Sequence, residues 1–154
     1  MGDLSANFSR HEFGLSKAAA GAYGFAAAPY PEEWVDERLR PLCALLEALR
    51  ERLGGRPVHV IEGGGYRPRA YDAERIRRGA KGVSSQSQHG EGRAADVRVE
   101  GRTPEEVHEA LLRLERDGRI SIGGLGIYDT FVHVDIRPGG GLARWDFRLA
   151  RRGG

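Results

Sequence analysis

Ser87-Gln88-His89-Gly90-Glu91-Gly92-Arg93-Ala94-Ala95-Asp96 runs directly into Val97-Arg98-Val99-Glu100, and this junction decides how the chain is read. From Ala94 onward the residues alternate. Ala95, Val97 and Val99 fall on one face of an extended strand, and Asp96 and Arg98 fall on the other. His89 precedes Asp96 in a loop where Gly90 and Gly92 leave the backbone free to turn. A second segment repeats the pattern. In Phe131-Val132-His133-Val134-Asp135-Ile136, the aliphatic residues form one face, and Phe131, His133 and Asp135 share the other. Two neighbouring strands would bring Asp96 and His133 together, with His89 arriving from its loop.

Two imidazoles and one carboxylate are the ligand types of a catalytic zinc, which is tetrahedral and keeps its fourth position open for water. Water in that position falls from a pKa of about 15.7 to about 7. His89, Asp96 and His133 are therefore the expected ligands of one Zn2+. The His-to-Asp spacing is a weak motif by itself. It gains weight because two separate segments and their strand faces agree.

The same residues carry a resemblance. Ser87-x-His89-x-x-Gly92-x-Ala94-x-Asp96, then Gly123-Gly124-x-Gly126-x-Tyr128, then Phe131 to Asp135, resembles the zinc D-alanyl-D-alanine peptidase family. That family belongs to the lysostaphin, D-Ala-D-Ala peptidase and hedgehog fold group. Asn7 to Phe13 and Gly65-Tyr66-Arg67 also resemble its members, so the likeness spans almost the whole chain. It implies zinc-dependent hydrolysis of a peptide bond in peptidoglycan stem peptides or cross-links, at a D-amino acid, by a carboxypeptidase or an endopeptidase. It also implies that Arg67 holds a substrate carboxylate or the developing oxyanion. A fixed guanidinium there stabilises charge that appears in the transition state. Ser87, Tyr128 and Trp145 complete the expected substrate-binding set, with Ala143-Arg144-Trp145 resembling the family's closing segment.

One position departs from the family pattern. Many relatives carry a Glu three residues before the last zinc-binding His, or a His two before it, to move the proton of the attacking water. Thr130 and Phe131 stand at those positions. Asp135 is the candidate base, because a period of two puts it on the His133 face. Its alternative roles are to orient a metal ligand or to pair with Arg137 or Arg144. The departure also keeps open a different class of function, a non-catalytic zinc-binding module that attaches to cell wall or serves in a phage-tail-like assembly.

The rest of the chain sets the fold class. At 154 residues, 40% hydrophobic and 30% charged, it is expected to form a single domain over 1–154. The expected architecture is α+β, a small mainly antiparallel sheet flanked by helices, with 1–8 a loose arm and 149–154 a frayed basic tail. A net charge of +2 gives no argument for nucleic acid. The single Cys43 excludes an internal disulfide and a cysteine-based zinc site. No apolar run is long enough to span a membrane. Ala18 to Ala28 is too weakly hydrophobic for a leader and reads as domain sequence. The expected location is cytoplasmic, or the cell wall after delivery by lysis or by a tail-like particle.

Helix signals bracket the motif segments. Ser9 to Glu12 and Thr103 to Glu106 are capping boxes. Pro31-Glu32-Glu33 opens a helix that Pro41 should break or kink. Leu42, Leu45, Leu46, Leu49 and Leu53 then form a core stripe, and Val107, Leu111 and Leu114 form another. Ala70 to Arg78 reads as a short helix with a solvated arginine face. Pro57 to Glu62 and Ile120 to Ile122 read as strands, and Gly14 to Tyr30 as an irregular loop.

Overall fold

The structure is a computed structural model and describes residues 2–149. Its strands are β1 (Val58–Val60), β2 (Ala94–Val99), β3 (Gly124–Ile127), β4 (Val132–Asp135) and β5 (Ala143–Asp146). They form one sheet in the order β1-β2-β4-β3-β5. Three of the neighbouring pairs are antiparallel, and β3–β5 is parallel. The fold is thus the expected α+β one.

Register positions the site. Asp96 pairs with His133, His133 with Gly126, and Gly126 with Trp145, so one row crosses four strands. The next row on the same face is Ala94, Asp135, Gly124 and Ala143. The opposite face is aliphatic: Ala95, Val97, Leu125, Ile127, Val132 and Val134 are all buried. Helices α2 (Arg40–Arg52) and α4 (Pro104–Arg116) supply the core it packs into, through Leu42, Leu46 and Leu49 and through Val107, Leu111 and Leu114. Each fully buried aliphatic side chain contributes about 1.5–3 kcal/mol. The Thr103 capping box starts α4: Thr103 Oγ1 accepts from Glu106 N–H, and Glu106 accepts from Thr103 N–H.

Several elements differ from the sequence reading. Pro41 does not break its helix. A π turn over Val35–Leu39 precedes α2, with Arg40 N–H bonded to Val35 C=O, and the chain passes through Pro41 in the first turn of α2. There a missing N–H costs nothing. The stretch read as an irregular loop contains a short helix, α1 (Lys17–Gly21), capped by Ser16, and a single bridge between Leu15 and Ala28. Ile120 to Ile122 is not a strand, although Ile122 is buried.

The expected loose arm is anchored over residues 2–8. Phe8 is buried in the core, and the Glu47 carboxylate accepts hydrogen bonds from Ser5 Oγ and from the backbone and side chain of Asn7. In the sequence, Phe8 carried the signal that this arm packs. Of the expected tail, 150–154 lies outside the described residues. Leu149 is exposed and donates its N–H to Asp129.

Candidate metal centre

His89 sits on a short 3-10 turn (Gln88–Glu91) that Ser87 caps by accepting the His89 N–H at 3.1 Å. Gly92 closes the turn in the left-handed region, and Tyr30 packs close enough there to leave no room for a Cβ. The turn delivers His89 over the row that holds Asp96 and His133. All three side chains are buried.

Three atoms converge. His133 Nδ1 lies 3.0 Å from Asp96 Oδ1 and 3.2 Å from His89 Nε2, and His89 Nε2 lies 3.2 Å from Asp96 Oδ1. The remaining ring nitrogens are occupied elsewhere. His89 Nδ1 is 2.8 Å from Gly65 C=O, which can only accept, so that nitrogen carries the hydrogen. His133 Nε2 is 2.8 Å from Asp135 Oδ2 and donates likewise. With both rings neutral, two imidazole lone pairs and a carboxylate oxygen face one point. Three acceptors at that spacing repel unless a cation or a proton lies between them. Ligand bonds of about 2.0 Å in a tetrahedron put ligand atoms about 3.3 Å apart, so the triangle fits zinc.

The charges agree. Burial works against the Asp96 charge, but the His89 and His133 rings outweigh it and hold its carboxyl well below the usual range. Burial pushes His89 down toward the neutral form that binds metal, against the pull of Asp96. For His133, burial is overcome by its bonds to Asp135 and Asp96, and its pKa is raised. A raised His133 pKa means that a proton at Nδ1 competes with a metal for that nitrogen.

A family model described as Peptidase M15 matches residues 6–135. The chain belongs to the peptidase M15 family. This is a family of zinc metallopeptidases, and the His-Asp-His cluster is the group of described residues able to hold the metal. No curated protein and no solved structure matches the chain.

The M15 centre opens into a cleft of about 620 Å³ whose lining includes His89, Asp96, His133, Arg67, Ser87, Tyr128 and Trp145. Every sequence-predicted site residue except Asp135 thus lines one cleft. Arg67 is nearly buried there. Its Nε meets Asp72 at 2.9 Å, its Nη1 donates to Gly63 C=O at 2.9 Å, and the same Nη1 is 3.7 Å from Asp96 Oδ2. Nη2 has no partner among the described residues. Trp145 lies over His133 with ring centroids 5.0 Å apart, and it fits because Gly126 offers no side chain; a Cβ there would collide with Trp145 Nε1.

Asp135 is placed differently from the base expected of it. It is fully buried behind His133, bonded to His133 Nε2 and held by Arg137 through two oxygens. Burial disfavours its charge, but the bonds from Arg137 and His133 keep its carboxyl well below the usual range. A carboxylate so held is placed to orient the His133 ring, and it is not among the residues that line the cleft. Of the roles open from sequence, the geometry matches the orienting one, together with the Arg137 pair.

Other residues had weaker signals or none. Glu91 points away from the cleft and pairs with Arg69 at 2.6 Å. His59 pairs with Glu100 at 2.8 Å and is not among the residues that line the cleft. Asp72 was missed: it is buried and bridges Arg67 and Arg75. The signal available was its position one helical turn into α3 (Arg69–Arg77), directly after Arg67-Pro68. Arg75 lines the cleft with Lys81, whereas Arg77 and Arg78 stay on the surface with Glu74.

Proposed function

We propose that this M15 metallopeptidase hydrolyses a peptide bond in peptidoglycan stem peptides or cross-links, at a D-amino acid. The observation that carries the reading is the convergence of three lone pairs on the floor of a cationic cleft. Arg67, Arg75, Lys81 and Arg137 line that cleft, and Asp96 is its one lining carboxylate among the described residues. Such a wall favours a peptide with free carboxylates, and stem peptides carry them.

His89, Asp96 and His133 would hold the zinc, which would supply Lewis acidity and activate a water. The chain's own groups do the rest. Gly65 and Asp135 fix the ring tautomers. Arg67, immobilised by Asp72 and Gly63, presents a rigid guanidinium beside Asp96 to a substrate carboxylate or to the carbonyl oxygen. Ser87 holds the His89 turn from within the cleft wall. A cytoplasmic peptide fragment, or wall reached by lysis or through a tail-like particle, is the proposed setting.

One observation favours a second reading. Among the described residues no carboxylate or histidine outside the metal set lines the cleft to take a proton. A zinc-binding module that attaches to cell wall without cutting it would have that property.

Metal content and muropeptide digestion separate the two. Protein as isolated, chelated and zinc-restored is incubated with defined muropeptides, and products are weighed by mass spectrometry. The peptidase reading expects about one zinc per chain and products that vanish and return with the metal. Bound zinc with no product from any muropeptide would leave the binding module. Cleavage confined to ordinary L-peptides would remove peptidoglycan as the substrate.

A further inference from the structure

The cleft contains a hydroxyl that the fold positions and then leaves unspent. Tyr128 follows β3 two residues after Gly126, the cross-strand partner of His133. Residues two apart share a face, so Tyr128 stands diagonal to His133, about 7–8 Å along the sheet and within reach of a long aromatic side chain. Its N–H bonds to Phe131 C=O, which closes the hairpin and keeps that placement. The ring is stacked on Phe131 at 4.4 Å and on Phe147 at 5.5 Å, with interplanar angles of 12° and 15°.

Its hydroxyl is set by Trp145. The indole Nε1 is a donor only, and it lies 3.0 Å from Tyr128 Oη. The phenolic oxygen is therefore the acceptor, and its own hydrogen must point elsewhere. Among the described residues nothing receives that hydrogen. Tyr30 and Tyr71 contrast with it, since their hydroxyls donate to the carbonyls of Gly92 and Ala19. Trp145 in turn lies over the His133 ring, so the indole links a zinc ligand to the Tyr128 hydroxyl.

We propose that Tyr128 is a catalytic residue that donates its hydroxyl hydrogen to the scissile carbonyl oxygen as that oxygen becomes negative, and that Trp145 is the positioning residue that aims it. The proposal rests on the peptidase reading above. No proton changes owner through Tyr128: as the attacking water oxygen bonds to the carbonyl carbon, the π pair moves onto the carbonyl oxygen and the hydrogen bond strengthens, and it relaxes when that pair re-forms the π bond and the C–N pair leaves on the nitrogen. A donor held in place before the reaction needs no reorganisation during it, which is the condition for strong transition-state stabilisation. Burial raises the Tyr128 pKa, outweighing the indole hydrogen bond, so the phenol stays a donor through neutral pH. Arg67 Nη2, on the same cleft, supplies a second donor.

The test uses the zinc-loaded full chain with Tyr128→Phe, Trp145→Phe and the double variant. Zinc content, kcat and KM on muropeptides, and affinity for a phosphinate pseudopeptide and for its uncleavable ground-state analogue are measured. Tyr128→Phe should keep its zinc, leave KM within about threefold and lower kcat on the order of 10²-fold. Phosphinate affinity should fall in parallel while ground-state affinity holds. Trp145→Phe should lower kcat less, and the double variant should be no worse than Tyr128→Phe, because both changes remove one effect.

In the metal-free protein the Trp145 indole N–H proton resonance should shift in Tyr128→Phe, and an unmoved resonance would refute the aiming bond. Wild-type cleavage matched by Tyr128→Phe would overturn this inference alone. Equal loss of phosphinate and ground-state affinity would reduce Tyr128 to uniform binding. Wild-type protein that cuts no muropeptide overturns the peptidase reading and this inference together.

Discussion

The two faces of one sheet do different work with the same strands. On the aliphatic face, Ala95, Val97, Leu125, Val132 and Val134 are buried against α2 and α4 and carry no polar atom beyond the backbone. On the other face, Asp96, His133 and Asp135 are also buried, yet each is bound to a charged or polar partner. Burial is therefore similar on both sides, and only its chemistry differs. The aliphatic face lowers the free energy of the fold through area removed from water. The polar face gathers charges that are costly to bury and become useful when a metal neutralises them.

This contrast predicts how substitutions separate. Replacing His133 or Asp96 by Ala should remove stoichiometric zinc and lower hydrolysis by ~10³-fold or more, since the metal accounts for several kcal/mol of the barrier reduction. The folded structure should survive, as circular dichroism will show, because the aliphatic face is untouched. A variant that keeps full activity without zinc would end the distinction. Leu125→Ala attacks the other face. It should cost about 2–5 kcal/mol and lower Tm by on the order of 10 °C for a chain of this size. Zinc per folded chain and kcat at low temperature should match wild type. If Leu125→Ala instead lost zinc at unchanged Tm, the two faces would be one cooperative device.

The same contrast explains what the sequence made legible. Period-two alternation in Ala94 to Val99 and in Phe131 to Ile136 gives both faces at once, so the metal residues and the aliphatic core are readable together. Capping boxes and leucine spacing placed α4 and α2 for the same local reason. What stayed hidden depends on contacts between distant segments. Gly126 looks like any strand glycine until β5 pairs with β3 and lays Trp145 across it. Asp72 looks like a helix surface residue until Arg67 folds back onto it. Asp135 was correctly placed on the His133 face, but which carboxylate oxygen meets which nitrogen depends on Arg137. Pro41 reads as a break, yet a π turn over Val35–Leu39 carries the chain into the first turn of α2.

Asp135 offers a finer cut, because it belongs to the polar face but lies behind the metal rather than beside it. Asp135→Ala should leave all three ligands present while freeing the His133 ring to rotate and leaving Arg137 unpaired. The expected result is 10–100-fold weaker zinc affinity, the usual effect of losing a partner that orients a ligand, measured by competition with a chromogenic chelator. With zinc in large excess, most activity should return. Activity that stays absent at saturating zinc would mean that Asp135 moves a proton after all, and the polar face would then reach deeper into the chemistry than its geometry implies.

The smallest effect concerns acid, and it separates the faces without any substitution of a ligand. Asp135 has a folded pKa well below that of an unfolded aspartate, near 3.9. The sign follows from proton uptake. Below the unfolded value the unfolded chain binds the proton first, so the stability contributed by Asp135 is full above about pH 5 and is lost as pH falls through 4 and below. Asp96 is depressed as well and titrates in the same direction. Metal-free wild type should therefore lose Tm more steeply between about pH 5 and 3 than metal-free Asp135→Asn, which keeps only the Asp96 share. The difference should amount to a few degrees in a thermal melt. Leu125→Ala, changed only on the aliphatic face, should melt lower at every pH with the wild-type acid slope. Parallel slopes for Asp135→Asn and wild type would show that the Asp135 charge is equally stabilised in the unfolded chain, and the ion pair with Arg137 would then serve geometry alone.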